Sequence, residues 1–353
     1  MKIIVVYATA GAGHKKAAEV IAGHIRVSSD GPVACLDIID RSSWLFRLMY
    51  CRGYDFLVNH CRWLWSALFV VTDRAAAAAF FQRARSFLHY LNTRQFCRYL
   101  AGINPDVVIS THFLSSDIVS YLKSRRMLSC RLITVITDFG VHPFWINPDT
   151  DAYCCASEIT RLSLITRGVS ARKAFVTGIP VDPGFARSRD KEAICRRLGI
   201  GMDRPVVLVV TGSFGIGPIE EIVKQLHEDY TVLAVCARNR RLYSRLTARG
   251  YPNTKVFGFV DFIDDLMAVS SVIVTKPGGL TISELLSMDL IPVFISAIPG
   301  QETSNVAILE SAGIGIFLSD LRLIKQRIAA CLRDAEHIKA SIKRFKQTNS
   351  ASR

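Results

Sequence analysis

The sequence predicts a doubly wound α/β protein built as two Rossmann-like halves. Two observations carry the prediction. Apolar runs recur along the chain, and most are followed by Gly, Ser, Thr or Asp and then by a helical pattern. That is the order of a parallel sheet with crossover helices. The rhythm also restarts once: after 176–205, a stretch rich in Gly, Pro and charge, a new unit opens at Val206.

The runs, in order, are "KIIVVYA", "VVIS", "LITVIT", "VVLVVT", "TVLAVC", "VIVT" and "IPVFIS". They are nearly continuous in Val, Ile and Leu, as strands buried on both faces must be. Cys154 and Cys155 sit in a further probable strand, and the five alanines at 75–79 read as helix. We place a linker near 182–190. This gives a first domain over 1–185, a second over 190–335 and a basic helix or tail over 336–353. Ligands collect at the carboxyl ends of strands in such sheets, so two facing sheets predict an interdomain cleft.

At 353 residues the chain is long enough for two cores. Half of its residues are hydrophobic and 21% are charged, which excludes a disordered chain. The net charge of +14 points to an anionic partner: nucleic acid, an anionic membrane or a phosphorylated substrate. The ten cysteines form no C-x-x-C pair and read as small buried hydrophobes in a reducing compartment. "MKIIVVYA" reads as the first strand of the fold, not as a leader. The apolar runs near 63–71 and 75–81 are broken by Asp73, Arg74 and Arg83. Neither reaches the roughly 18–20 residues that span a bilayer.

Three loops of the second half suit a nucleotide. "VVTGSFGIGPIEEI" (209–222), "VTKPGGLTISELL" (274–286) and "ISAIPGQETSNVAI" (295–308) each run from strand through a glycine turn into a helix. Backbone without side chains at a helix N-terminus lets amides approach an oxyanion, and the dipole adds about half a unit of positive charge. Gly278 and Gly279 suit a diphosphate. Glu284, on the first turns of the same helix, suits the paired hydroxyls of a ribose. Gln301 and Glu302 suit sugar hydroxyls, with Thr303 expected as the N-cap of its helix. In the first half, "YATAGAGHKKAAEV" (7–20) fits neither common phosphate-loop fingerprint, since Lys16 stands where a third glycine would fall and no G-K-[ST] follows.

The motifs "GAGHKKAA", "VITDFGVHPFW", "VTGIPV", "KPGGLTISE" and "IPGQETSN" together resemble glycosyltransferase family 28. The likeness is to its monogalactosyldiacylglycerol synthase and processive diacylglycerol glucosyltransferase branch, and it runs over roughly 1–320. The resemblance implies the GT-B fold, a UDP-sugar donor, inversion at the anomeric carbon and action at membranes, with no cofactor and no metal. It implies diphosphate contacts from Gly278, Gly279 and Thr281, a ribose contact from Glu284, and sugar contacts from Gln301 and Glu302. It implies uracil at the backbone around Phe259 and a donor loop lined by Gly212 and Ser213. One departure stands out: Asp182, in "GIPVDP", replaces an arginine common in the branch. The resemblance also makes His14 the general base that takes the acceptor's proton. Asp138, in a neighbouring loop of the first sheet, is the other group placed to receive one and a candidate to orient His14 or bind the acceptor. An alternative for His14, a cap on the first helix, stays open. His112 and His142 are expected at the acceptor, or orienting His14. "DTD" (149–151) is a literal D-x-D, but a helix-dipole phosphate site needs no metal.

The stretch 41–100 holds nine arginines, no lysine and two aspartates, which is +7 of the total charge. It also holds Trp44, Trp63 and Trp65 of the four tryptophans. Arginine and tryptophan beside an apolar face suit a lipid headgroup layer, so Arg62, Trp63 and Trp65 are expected at an anionic membrane. Helices packed into the core with a solvated basic face are the alternative. The tail "KASIKRFK" (339–346) is expected to add to the attraction or to cross back to the first domain. The expected function is a transfer of hexose from a UDP-sugar to a lipid hydroxyl, foremost diacylglycerol, by a cytoplasmic protein attached peripherally to the membrane. A transferase with a lipid-linked peptidoglycan-precursor acceptor and a UDP-sugar epimerase are the alternatives. A nucleic-acid binder fits poorly, because the basic residues cluster with tryptophan and leucine and no nucleic-acid module is visible. The oligomeric state is not indicated.

Overall fold

The computed structural model describes residues 1–349 except 10, 30, 54, 55, 58–60, 74 and 202; at 62 and 75–81 it describes the backbone alone. The chain divides into two units by contact. The first comprises Met1–Val181 with Ile298–Asn305 and Asn349, and the second comprises Asp182–Ala297 and Val306–Thr348. The chain thus changes unit at the start of the expected linker, and one short segment from the far half of the sequence packs with the first unit.

The first unit holds a six-stranded parallel sheet. Its strands are β1 (Ile3–Tyr7), β2 (Val33–Asp37), β3 (Val107–Ser110), β4 (Arg131–Val135), β5 (Ala152–Cys155) and β6 (Ala174–Val176), ordered β2-β1-β3-β4-β5-β6. Around them lie α1 (Ala12–Ser28), α2 (Trp44–Leu48), α3 (Arg62–Asp73), α4 (Ala75–Asn92), α5 (Arg94–Ile103), α6 (Phe113–Ser124) and α7 (Glu158–Thr166). β1 shows why its run is uninterrupted. Ile3 and Val5 pack against Ala18 and Ala22 of α1 on one face, while Ile4 and Val6 join Phe96, Leu100, Leu114 and Ile118 on the other. A period of two with both faces covered leaves no position for a polar residue.

The second unit holds β7 (Val206–Val210), β8 (Thr231–Val235), β9 (Thr254–Phe257), β10 (Val272–Thr275), β11 (Ile291–Ile295) and β12 (Ile316–Leu318), all parallel and ordered β12-β11-β10-β7-β8-β9. Its helices are α8 (Lys191–Leu198), α9 (Ile219–Leu226), α10 (Arg240–Arg249), α11 (Ile263–Val269), α12 (Gly279–Ser287), the later turns of α13 (Gln301–Ser311), α14 (Ile324–Arg333) and α15 (Ala335–Asn349). The basic tail is therefore α15. It buries Ile338, Ile342 and Phe345, and its last residue, Asn349, accepts the Glu158 amide at 2.6 Å.

The basic stretch 41–100 forms the helices inserted between β2 and β3, and it divides in two. α5 buries Phe96, Cys97 and Leu100 in the core, as the alternative for this stretch expected. α4 is bound to α6 through Asp117, which accepts from Arg85 (3.1 Å), Ser86 (2.7 Å) and His89 (2.6 Å). These donors hold the buried Asp117 carboxyl below its usual range against the desolvation that raises it. Much of the rest is outward: half of the large apolar side chains that stand exposed among the described residues lie between Trp44 and Tyr99.

Candidate active site

Each sheet has one point where strand order reverses, and the glycine loops flank it. In the first sheet the reversal lies between β1 and β3. The connection after β1 leads into the first turn of α1, which carries His14, and the loop after β3 carries Thr111 and His112. In the second it lies between β7 and β10, whose following loops carry Gly212 and Gly278. Crevices at such points are where open parallel sheets bind ligands.

His14 is the third residue of α1, half-buried, with Nδ1 2.9 Å from the Thr111 carbonyl oxygen and 2.8 Å from Thr137 Oγ1. A carbonyl only accepts, so Nδ1 carries the proton and Nε2 carries the lone pair. Thr111 Oγ1 also donates to the His14 carbonyl at 2.9 Å, which latches the two loops together. Burial pushes the imidazole below its usual range, and Asp138 and the Thr111 carbonyl only partly oppose this. His14 is therefore held toward its neutral form, with the Nε2 lone pair unprotonated. It does not cap α1: the N-cap is Gly11, without a side-chain bond.

Asp138 follows β4 and is 4% exposed. Burial raises its carboxyl pKa, against the pull of His14 and of two amide donors. Those donors come from 163 and 167 residues away: Gln301 Nε2 reaches Oδ2 at 2.7 Å, and Asn305 Nδ2 reaches Oδ1 at 3.4 Å. Asn305 Oδ1 also accepts from the Phe139 amide at 2.9 Å. The two residues expected to read sugar hydroxyls are thus engaged inside the unit, since Glu302 Oε2 accepts the Ile298 amide of its own loop at 2.7 Å. Helix α13 begins at Gln301, before the expected cap, and Thr303 Oγ1 instead accepts the Gly300 amide at 2.9 Å.

The other two histidines are caps. His112 Nδ1 accepts from Leu114 N at 3.1 Å at the start of α6, and His142 Nδ1 accepts from Phe144 N at 3.2 Å. Burial drives His112 well below the usual histidine range, helped by His14 and His89, and takes His142 down to about 4. Their places differ. The His112 ring stands edge-on to His14 at 4.5 Å between centroids, with Trp145 6.3 Å from His14. His142 instead faces α3, with Nε2 3.2 Å from Thr72 Oγ1.

The tryptophans expected at the membrane separate. Trp63 is 74% exposed. Trp65 is turned inward and donates from Nε1 to the Pro299 carbonyl at 3.1 Å, because the half-turn between the two places them on different faces of α3. The Arg62 side chain lies outside the described residues. Asp149 and Asp151 of the D-x-D stretch are engaged by Ser120, Lys123 and the Leu132 amide.

In the second unit, α12 starts at Gly279 with Gly278 as N-cap in an extended conformation and no side-chain cap. Thr281 stands in its first turn, and Glu284 follows one turn later. Gly212 and Gly215 have φ of 85° and 61°, which L side chains rarely adopt. Asn239 Nδ2 binds the Gly215 carbonyl at 3.0 Å and so braces the loop that carries Gly212 and Ser213. Phe259 is 63% exposed beside Arg238. Asp182 accepts the Gly184 amide at 2.8 Å and caps a short 3-10 turn.

Four of these residues escaped the sequence reading: Thr111, Thr137, Asn305 and Asn239. Thr137 had a signal, as a polar residue at the carboxyl end of a strand. Asn305 had none, because its partners lie far off in the chain.

The family model for monogalactosyldiacylglycerol (MGDG) synthase matches residues 14–181. A processive diacylglycerol beta-glucosyltransferase of Bacillus cereus (strain AH187) is 26% identical over 343 residues, covering 94% of this chain and 86% of the relative. One of Bacillus anthracis (strain CDC 684 / NRRL 3495) matches at the same identity and coverage. Among solved structures, the spinosyn rhamnosyltransferase SpnG complexed with thymidine diphosphate superposes with a TM-score of 0.65 at 14% identity, over 99% of this chain and 96% of that one. Acinetobacter baumannii MurG superposes at 0.60 and 14%, over 99% and 95%. The Anabaena protein HepE in complex with UDP superposes at 0.57 and 14%, over 99% and 96%. At that identity the superpositions establish the fold, which is GT-B.

Proposed function

The chain is a relative of the monogalactosyldiacylglycerol synthase and processive diacylglycerol glucosyltransferase branch of glycosyltransferase family 28, and we propose that it is an inverting transferase that moves a hexose from a UDP-sugar to the hydroxyl of diacylglycerol. The observation that carries the reading is the placement of His14: its Nδ1–H is tied to the Thr111 carbonyl, at the reversal point of its sheet.

In this reading the second unit binds the donor. Amides of Gly278, Gly279 and Thr281 take the diphosphate at the uncapped end of α12, Glu284 takes the ribose, the backbone around Phe259 takes uracil, and Gly212 and Ser213 line the loop. The first unit binds the acceptor and supplies the base. His14 Nε2 removes the hydroxyl proton as that oxygen attacks the anomeric carbon. The new glycosidic bond forms while the bond to the β-phosphate oxygen breaks on the opposite face, so configuration inverts and UDP leaves as an anion at the helix dipole. Asp138 stabilises the imidazolium. Gln301 serves first to hold Asp138, with any sugar contact secondary to that. His112 and Trp145 line the acceptor side of His14.

The protein attaches peripherally to the cytoplasmic face of an anionic membrane in this reading. Support comes from Trp44, Leu45, Met49, Trp63, Val70 and Val71, all exposed, in a stretch rich in arginine. No helix among the described residues is long and apolar enough to cross a membrane. The test is incubation with radiolabelled UDP-glucose and UDP-galactose and diacylglycerol vesicles, followed by lipid extraction. Labelled lipid with the β-anomeric configuration is expected. Interconversion or hydrolysis of the sugar nucleotide without labelled lipid would sink the reading.

A further inference from the structure

Helix α3 turns its two faces to different tasks. Trp65, Phe69 and Thr72 stack at helical spacing on one side, and Trp63, Ala67 and Val70 stand exposed on the other. The inward face grips the segment 298–305. Trp65 Nε1 donates to the Pro299 carbonyl at 3.1 Å. The Phe69 ring fills the space over Gly300, where any added Cβ would overlap it, and Gly300 has φ 88°. Thr72 and Phe69 are also seated on His142, with ring centroids 4.6 Å apart for the latter pair.

The gripped segment is tied within itself by the bonds from Ile298 N to Glu302 and from Gly300 N to Thr303. A displacement at Pro299 therefore passes on to Gln301 instead of being absorbed on the way. Gln301 is bonded to Asp138 at 2.7 Å, and Asn305, one turn on, is bonded to the Phe139 amide. One short segment thus has α3 at one end and the carboxylate beside His14 at the other.

We infer that Trp65 and Phe69 are positioning residues for the acid–base pair: by clamping Pro299 and Gly300 they hold Gln301 on Asp138. The inference rests on the function proposed above and deepens it. The helix that presents Trp63 and Val70 outward is the one that orders Asp138, so seating of that helix and organisation of the base are properties of one rigid element.

The test compares wild type, Trp65→Phe, Trp65→Ala, Gln301→Leu and the Trp65→Ala/Gln301→Leu double variant. Wild-type transfer to lipid is measured first, and its absence would refute the proposed function, not this inference. Given transfer, Trp65→Ala should lower kcat about 10-fold or more, with UDP affinity and vesicle flotation unchanged. Trp65→Phe keeps a ring but loses the donor, and should lie between the two even if the alanine variant folds poorly. In the Gln301→Leu background the Trp65 substitution should cost under about threefold, since residues acting through one path are not additive. The acid limb of the pH–rate profile should move to higher pH in all three single variants, because the Asp138 carboxylate has lost a stabilising donor. Equal costs in the two backgrounds, or a wild-type acid limb in Trp65→Ala and Trp65→Phe, would overturn the inference.

Discussion

Replacing His14 by asparagine separates chemistry from architecture. The imidazole makes one strong bond to the fold, from Nδ1–H to the Thr111 carbonyl, with Thr137 Oγ1 at 2.8 Å. A neutral hydrogen bond is worth about 0.5–1.5 kcal/mol, and no helix cap is lost because Gly11 holds that position without a side-chain bond. The expected stability loss is therefore about 1 kcal/mol. General-base help is worth about 10²–10⁴ in rate, which is roughly 3–5 kcal/mol in the barrier. Asparagine can still donate to Thr111 but cannot accept the acceptor's proton. The assay is label transfer to diacylglycerol vesicles at saturating UDP-sugar, with calorimetry for UDP and a thermal melt on the same preparation. Turnover should fall by two to four orders of magnitude while UDP affinity stays at the wild-type value. Burial holds the His14 pKa below 6.5, so the imidazole's own contribution to the acid limb of kcat/KM should lie below that pH in the wild type and be absent from the variant. Retention of more than about a tenth of wild-type turnover would refute general-base catalysis by His14.

Other outcomes follow from the same geometry. Glu284→Ala should weaken UDP and UDP-sugar binding alike by about 1.5–3 kcal/mol; unchanged UDP affinity by calorimetry would remove Glu284 from the ribose. Trp63→Ala with Val70→Ser and Val71→Ser should release the protein from anionic vesicles in flotation while UDP binding persists, and continued flotation would contradict the membrane assignment. Stability should fall on acidification. His112 and His142 have folded pKa values below the ordinary 6.5, so the unfolded chain binds their protons first. Stability is then full above about 6.5 and is lost down to about 4 for His142, a loss of about 3 kcal/mol from that residue alone. Asp138, whose pKa is raised, works in the opposite direction, so a urea midpoint that rises between pH 7 and 4.5 would show that the histidines do not dominate.

What the sequence determined by itself is the repeated strand–loop–helix order and the glycine loops. A strand covered on both faces has no position free for a polar side chain, and a close anion site tolerates no side chain at all. Both constraints act within one short window and so are written there. The strands that went unread are β2, β6, β9 and β12, the edges of the two sheets. They are only partly buried, so their apolar pattern is diluted. His14 and Asp138 were legible as polar residues just past apolar strands. Tertiary structure alone decided their hydrogen-bond partners. The proton on Nδ1 is placed by a carbonyl 97 residues away, and Asp138 is met by amides 163 and 167 residues away. It likewise decided that Trp65 faces the Pro299 loop while Trp63 faces outward, and that His112 and His142 cap helices. Local composition cannot carry such facts, because a long-range hydrogen bond leaves no periodic trace in either segment and exists only once the sheets have brought the loops together.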